Sequence, residues 1–452
     1  MNDVYHLTLQ YAYEYSRGIC VPMLCGRVRQ CRNPSRIEGG QDMKRFFLLL
    51  IVFLPVAFAM SPALGEEEYP LPEYVETDSL TWEFDADTGT LSIHGSGPMR
   101  SCYPEPPEWE MYKDQIITVH IDEGITSVGD SAFYNYPNLQ NVFLPDSIEI
   151  ADQFAFYYCW ELRNITIPAN LRYVGYMSFY NTLLHDPVDI VFPEGMEYIG
   201  EKAFHSALKT DGKYVIPSTV RYIGPCALSN AFISDIVVDE GNAFYKSENH
   251  ALLTKDGKEL LMYAPCAEET SYSVPNGVVK IDKECFNVVQ HLEKLSIPAS
   301  VTEIEDAAIF STFNLNEIIV AEDNPAYKIT DGALCTIDGK EYLAFPDGIE
   351  RSEIIIPDGV ERIAPYVFYG RYDTKYAVTL PESLRIIGEM SMPQSIATIN
   401  IPKGVETIEP YAFCYENGVD EVIYGGSEAD WQAIDIGDGN KGLESAVIRY
   451  IE

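Results

Sequence analysis

The chain has 452 residues, 46% of them hydrophobic, with 69 acidic against 31 basic residues and a formal net charge of −38. The hydrophobic share excludes a disordered chain. The acidic balance would repel a phosphate backbone, which excludes nucleic-acid binding and disfavours anionic membrane surfaces; it serves solubility, and beyond that suits basic partners or divalent cations.

The first segment with a signature is at residues 43–65. Met43-Lys44-Arg45 precedes the apolar run FFLLLIVFLPVAFA at 46–59, which ends in the small-x-small site Ala57-Phe58-Ala59; Ala63-Leu64-Gly65 offers a second site. This is the layout of a secretory signal peptide. The run holds Pro55 and falls short of the roughly 20 residues of a spanning helix, so no membrane span is expected after cleavage. Residues 1–42 then read as an upstream extension from a misassigned start, with Met43 the initiator; the alternative is a membrane-anchored protein with 1–42 inside the cell. Removing 1–59 takes 7 basic and 4 acidic residues, leaving 24 against 65 and a net charge of −41. No cysteine adjoins the cleavage site, and the terminal AVIRYIE has neither hydrophobic tail nor basic stop, so no lipid or C-terminal anchor is expected.

Residues 66–116 form a linker and an N-terminal cap. WEFDADTGTLSIHG reads as a hairpin with a glycine-containing loop. From 117 to 423 one phrase recurs: FPEGMEYIGEKAF at 192–204 matches IPKGVETIEPYAF at 401–413 position by position. Prolines 145, 168, 193, 217, 275, 298, 357, 381 and 402 mark nine copies, and Asp122 stands in the proline slot of an earlier one. Within contiguous runs the spacing is 21 to 25 residues, the period of a solenoid. With the proline as zero, positions −3 and −1 are apolar and share one face of a strand. Proline, lacking an N–H, ends the ladder at a corner. Positions +3, +6 and +11 stay apolar, with an aromatic ring at +11 in most copies, such as Phe133, Phe156, Phe179 and Phe204. Glycine at +7 (Gly129, Gly175, Gly200, Gly224, Gly388) is expected to allow a tight turn. No single coil can bury these side chains; stacked coils bury them together.

The pattern L-x-x-I-x-I-P-x-x-V-x-x-I-G-x-x-A-F, seen in QNVFLPDSIEIADQFAFYYCWEL at 140–162, resembles the BspA-like surface-antigen class of leucine-rich repeats, with Cys159 in the family's cysteine slot. TWEFDADTGTLSIHGSGPM (81–99) and YGGSEADWQAIDI (424–436) resemble the segments that open and close such arrays. The resemblance implies a right-handed leucine-rich-repeat solenoid, mostly β with short irregular or helical turns and capped at both ends. Ala151 at +6, and the absence of glycine at +7 after Pro145, Pro275, Pro298, Pro357 and Pro402, depart from the pattern and bear on local turn geometry.

Two longer units, at about 236–270 and 318–353, align without a gap at an offset of 82, pairing Asn242 with Asn324, Tyr245 with Tyr327 and Asp256-Gly257 with Asp338-Gly339. Each reads as a repeat extended by a β-hairpin. Residues 424–452 form the C-terminal cap, where Ser427 with Asp430 resembles a capping box and Trp431, like Trp82 at the other end, is large enough to seal an apolar end.

No catalytic set emerges. Gly129-Asp130-Ser131 lacks the glycine that a nucleophile elbow needs. Histidines 94, 120, 185, 205, 250 and 291 show no paired spacing. The seven cysteines after the signal, an odd number without C-x-x-C, read as buried thiols rather than bridges or zinc ligands. The segment 435–440 lacks the ligand alternation of an EF-hand, and Asn164-Ile165-Thr166 is a glycosylation sequon within a repeat strand. No cofactor or metal is expected. Position −2 points away from the core and carries His120, Phe143, Thr166, Val191 and Val215. An exposed apolar ladder there is a candidate binding face, although β-branched residues also simply favour strands. The expected function is non-enzymatic binding of a protein partner by a secreted or cell-surface protein, adhesin-like by the family's link with host matrix proteins. The alternative is a carbohydrate or cell-wall glycan binding module using the many tyrosines and tryptophans.

Overall fold

The computed structural model describes residues 80–182, 190–207, 212–349, 351–369, 371 and 374–451. The proposed signal peptide and extension lie outside them. The chain divides into two units, 1–75 and 76–452, and all described residues belong to the second.

The second unit is a mostly-β solenoid. The apolar alternation before each proline forms one row of parallel strands. Thr118–Ile121 pairs with Asn141–Phe143, and that with Asn164–Ile165. Ile190–Val191, Lys213–Ile216 and Asp235–Val238 form a second group; Ser271–Ser273, Lys294–Ile297 and Glu317–Val320 a third; and Glu353–Ile355 leads a fourth that ends at Val447–Tyr450. This row is therefore four sheets rather than one continuous ladder.

A second row, of mostly two-residue strands, occupies +5 and +6: Ile150–Ala151, Tyr173–Val174, Tyr198–Ile199 and Tyr222–Ile223 pair in parallel. On the remaining side, backbone N–H groups reach the next coil without forming strands, as in Phe133 N to Ala155 O (2.9 Å), Phe156 N to Ser178 O (2.8 Å) and Phe179 N to Ala203 O (2.8 Å). Inside, the +11 rings stack coil on coil: Phe133, Phe156, Phe179 and Phe204 lie 5.4, 5.3 and 5.0 Å apart in succession, and all are buried. Like rings stack because an axial repeat places each side chain on its own copy.

The tight turn is not where glycine suggested. None of the +7 glycines has positive φ; the left-handed residue is at +9 in all ten copies, from Ser131 (φ 58) through Phe154, Met177 and Lys202 to Tyr411 (φ 59). Glycine at +7 answers close approach instead. A Cβ on Gly200 would stand 2.8 Å from the Gly175 carbonyl carbon, and one on Gly224 2.5 Å from the Glu201 nitrogen. Where +7 is acidic, the side chain can serve the neighbouring coil: Glu409 Oε2 accepts Glu389 N–H at 2.8 Å and Glu305 Oε2 accepts Lys283 N–H at 3.2 Å.

In both long units the Asp-Gly turn joins two antiparallel strands, Ala251–Thr254 with Glu259–Tyr263 and Ala333–Thr336 with Glu341–Ala344, and a further strand, Tyr245–Glu248 or Tyr327–Thr330, pairs in front of each. The matched asparagines explain the shared offset. Asn242 Nδ2 donates to Pro217 O (2.8 Å) and Val220 O (3.0 Å), while its Oδ1 accepts Phe244 and Tyr245 N–H (2.8 Å each). Asn324 repeats the set with Pro298, Val301, Ala326 and Tyr327. Tyr245 Oη and Tyr327 Oη then accept the Ile223 and Ile304 N–H groups at 2.8 Å, ending a strand row where no next strand follows.

At the ends, Thr81–Asp85 and Thr90–His94 form the capping hairpin, with Trp82 packed edge-on to Trp109 and donating Nε1–H to Glu108 at 2.8 Å. Ser427 and Asp430 form a complete capping box on Glu428–Trp431, and the buried Trp431 ring meets Tyr424 at 5.1 Å. Among the described residues no helix is long and apolar enough to cross a membrane.

Candidate binding surface

The −2 side chains leave the strands on the face opposite the core, because the neighbours at −3 and −1 point inward. Phe143 is 48% exposed and Val191 57%, with His120 and Thr166 exposed and Val215 half-buried. Strand pairing brings some of the five together. His120 is opposite Phe143, and their rings stack at 4.5 Å and 5°. Val191 is opposite Val215. Thr166 lies just past Asn164–Ile165, the last strand of its sheet, so the two pairs occupy separate sheets. Sequence reading stopped at Val215, yet the same register continues to Val237 (39% exposed), directly opposite Val215, and to Ile355 (56%) in the fourth sheet. The −2 rule itself was the signal for both.

The second row carries an aromatic ladder that sequence reading passed over. Tyr173, Tyr198 and Tyr222, all at +5, are half-buried and stack at 4.5 and 4.7 Å with interplanar angles of 8° and 12°. Tyr198 is thus covered on both faces, Tyr173 and Tyr222 on one each.

Three of the histidines, His94, His205 and His250, are held by carboxylates. His94 Nδ1 meets Asp122 at 2.9 Å, a contact that raises its pKa. His250 bridges Asp235 (2.9 Å) and Glu269 (3.1 Å). His205 Nε2 meets Glu284 at 2.9 Å and its Nδ1 meets Ser206 Oγ at 3.0 Å, a join across 79 residues that no local spacing could announce. Burial works to raise the Glu284 carboxyl, but His205 and Lys202 outweigh it and hold the group down to about 2. This serine–histidine–glutamate chain is buried between coils, with His205 and Ser206 closed to solvent. Asp130 accepts Ser131 Oγ–H (2.7 Å) and Gln153 Nε2–H (2.9 Å), so the Gly129-Asp130-Ser131 segment is a corner of the coil. Cys159, Cys226, Cys285 and Cys335 are buried; burial pushes the Cys159 thiol up to about 12, the inert side of thiol chemistry. Among the described residues no group of three potential ligands could hold a metal ion. A shallow pocket lined by Ile304, Glu305, Asp306, Ala308, Ile309 and Leu334 has a volume of about 10 Å³, no more than one water would fill.

The chain matches the family model of the BspA type leucine rich repeat region, in six copies over residues 111–235, 188–250, 261–351 and 341–428. Among solved structures, a leucine-rich repeat protein from Eubacterium ventriosum is similar at 20% identity, covering 84% of this chain and 96% of that one with a TM-score of 0.51, a likeness of fold. A leucine rich cell surface protein from Faecalibacterium prausnitzii matches at 20% identity over 81% of this chain and 98% of its own, TM-score 0.45. The pneumococcal vaccine antigen PcpA matches at 16% over 84% and 99%, TM-score 0.41. No curated protein matches.

Proposed function

Because this chain belongs to the BspA-type leucine-rich repeat family, we propose that it is a non-enzymatic, secreted or surface-attached protein that binds a protein partner on its exposed strand face, in the manner of an adhesin. The observation that carries this reading is the apolar row at −2, with Phe143, Val191, Val237 and Ile355 exposed on strands whose other face is fully packed. Each such side chain loses about 1.5–3 kcal/mol of favourable transfer by staying in water, and repeat arrays commonly bind through such faces. Secretion rests on the signal-like segment at 43–65, and surface association accords with the family.

A glycan-binding reading would draw on Tyr173, Tyr198 and Tyr222. Sugars stack on open ring faces, however, and the ladder covers both faces of Tyr198 and one each of Tyr173 and Tyr222. The protein reading is therefore preferred. The test is capture of the purified protein on an array carrying both extracellular-matrix proteins and glycans. Saturable capture by a protein, abolished by Phe143→Asp with Val191→Asp in a variant of unchanged circular dichroism, supports the reading. Capture by glycans alone overturns it.

A further inference from the structure

Val191, Val215 and Val237 stand side by side on three paired strands, and their two flanks differ in charge. On the flank preceding the valines, charges answer one another: Lys213 Nζ meets Asp235 at 3.2 Å, and His250 joins Asp235 to Glu269. On the other flank, where the chain turns the proline corner, Glu194, Asp239 and Glu240 are exposed and form no ion pair among the described residues. Asp239 Oδ1 accepts the Gly241 N–H at 2.7 Å, and Lys255 Nζ donates to the Glu240 carbonyl oxygen at 3.1 Å. The same corner carries Glu123, Asp146, Asp358 and Glu382 in other coils, again exposed. Its one basic occupant among the ten +1 positions is Lys403, which is bound to Asp430 at 3.0 Å. Five of the ten +1 positions are thus carboxylates, and beside the three valines Glu194 and Glu240 stand on either side of Ser218, without an ion-pair partner among the described residues.

We propose that this face docks an extended protein segment alternating apolar with lysine or arginine side chains. The inference rests on the protein-binding reading above and names its partner class. Successive side chains of an extended segment point to opposite sides. Laid along the axis between the valines and the proline corner, such a segment turns alternate side chains, about 6.7 Å apart, onto the valine row, and its intervening long basic side chains reach Glu194 and Glu240, which stand two strand spacings, about 9.6 Å, apart. An acidic segment would meet like charge at Glu194 and Glu240. A purely apolar one would leave the carboxylates partly desolvated and unpaired, which is unfavourable.

The test measures binding of a synthetic peptide of alternating lysine and valine to the full protein at low salt, beside a glutamate–valine peptide and oligolysine. Expected is saturable binding of the lysine–valine peptide alone, weakened about fivefold by Glu194→Gln with Glu240→Gln, as two exposed ion pairs warrant. Val191→Thr with Val237→Thr, which keeps β-branching, weakens it independently. Equal binding of the glutamate peptide, equal binding of oligolysine, indifference to either double variant, or no binding overturns the basic-segment inference. Protein capture on the array with any of those results would leave the protein-binding reading standing, whereas loss of array capture would remove that reading itself.

Discussion

Phe156→Ala tests how the solenoid holds together. Phe156 is fully buried and is stacked on both faces, against Phe133 at 5.4 Å and Phe179 at 5.3 Å. Truncating a buried phenyl ring costs about 3–5 kcal/mol, and each stacked pair adds about 0.5–1.5 kcal/mol beyond area. With two pairs lost and little room for the coils to collapse, the upper part of that range, about 4–5 kcal/mol, is expected. The location of the damage matters as much as its size. Coils contact only their neighbours, and the core divides into one cluster running from Leu91 to Ala344 and another from Ala333 to Leu443. Denaturant titration would give the magnitude; hydrogen exchange read by mass spectrometry would give the place. Exchange should accelerate in the Pro145 coil and its immediate neighbours and stay unchanged in Ile396–Ile401. A loss below about 1 kcal/mol, or equal acceleration in Ile396–Ile401, would refute nearest-neighbour stacking as the source of stability.

Two further outcomes follow from the packing and the buried charges. Gly200→Ala should destabilise by about 1–2 kcal/mol, the overpacking cost less the entropy gained in the unfolded chain, because its Cβ meets Gly175 and Tyr176 backbone at 2.8–2.9 Å; an unchanged denaturation midpoint would disprove the close-approach account. Burial pushes Asp347 up to about 6, against the pull of Arg371, and burial with the Glu305 carboxylate beside it raises Asp282. A folded-state pKa above the unfolded 3.8 means the folded state holds the extra protons, so stability should fall as pH rises from 4 to beyond 6. Glu284, held down to about 2, works oppositely and loses its contribution only as pH drops from 4.5 toward 2. Urea midpoints should therefore peak near pH 4–5; a midpoint that climbs steadily to pH 7 would contradict the assignment.

What the sequence made legible was whatever rests on side-chain type. The apolar slots, the proline corner, the Asp-Gly hairpins and the Ser427–Asp430 box each need a particular chemistry, so each left a residue signature. Backbone conformations imposed by neighbours left none. The left-handed corner at +9 accepts serine, phenylalanine, methionine, lysine and tyrosine alike, because hydrogen bonds to the next coil enforce it, such as Phe154 N to Tyr176 O at 2.9 Å. Glycine at +7 drew attention to the right turn for the wrong reason, since close approach and positive φ both demand that residue. The two-residue strands of the second row are too short for any periodicity. The His205–Glu284 pair joins coils that a hairpin unit separates in sequence. On the candidate face, alternation fixed which side chains point outward, but only strand pairing told which of them meet.

That last distinction bears on where a partner can be held. An axial repeat places like on like, so an aromatic residue repeated in one slot turns its ring faces to its own copies. Tyr173, Tyr198 and Tyr222 do this on the second row, and His120 with Phe143 begin it on the first. Such a row satisfies much of its own apolar surface and offers a newcomer mainly edges. Aliphatic side chains are too small to close over one another across strands roughly 4.8 Å apart, and they remain open: Val191 and Ile355 are both more than half exposed. In this solenoid the +5 tyrosines of that row thus serve the stack itself. On the proposed face, Val191 and Ile355 therefore keep more open apolar surface than a stacked ring pair does, and Phe143, stacked on His120 alone, is still 48% exposed.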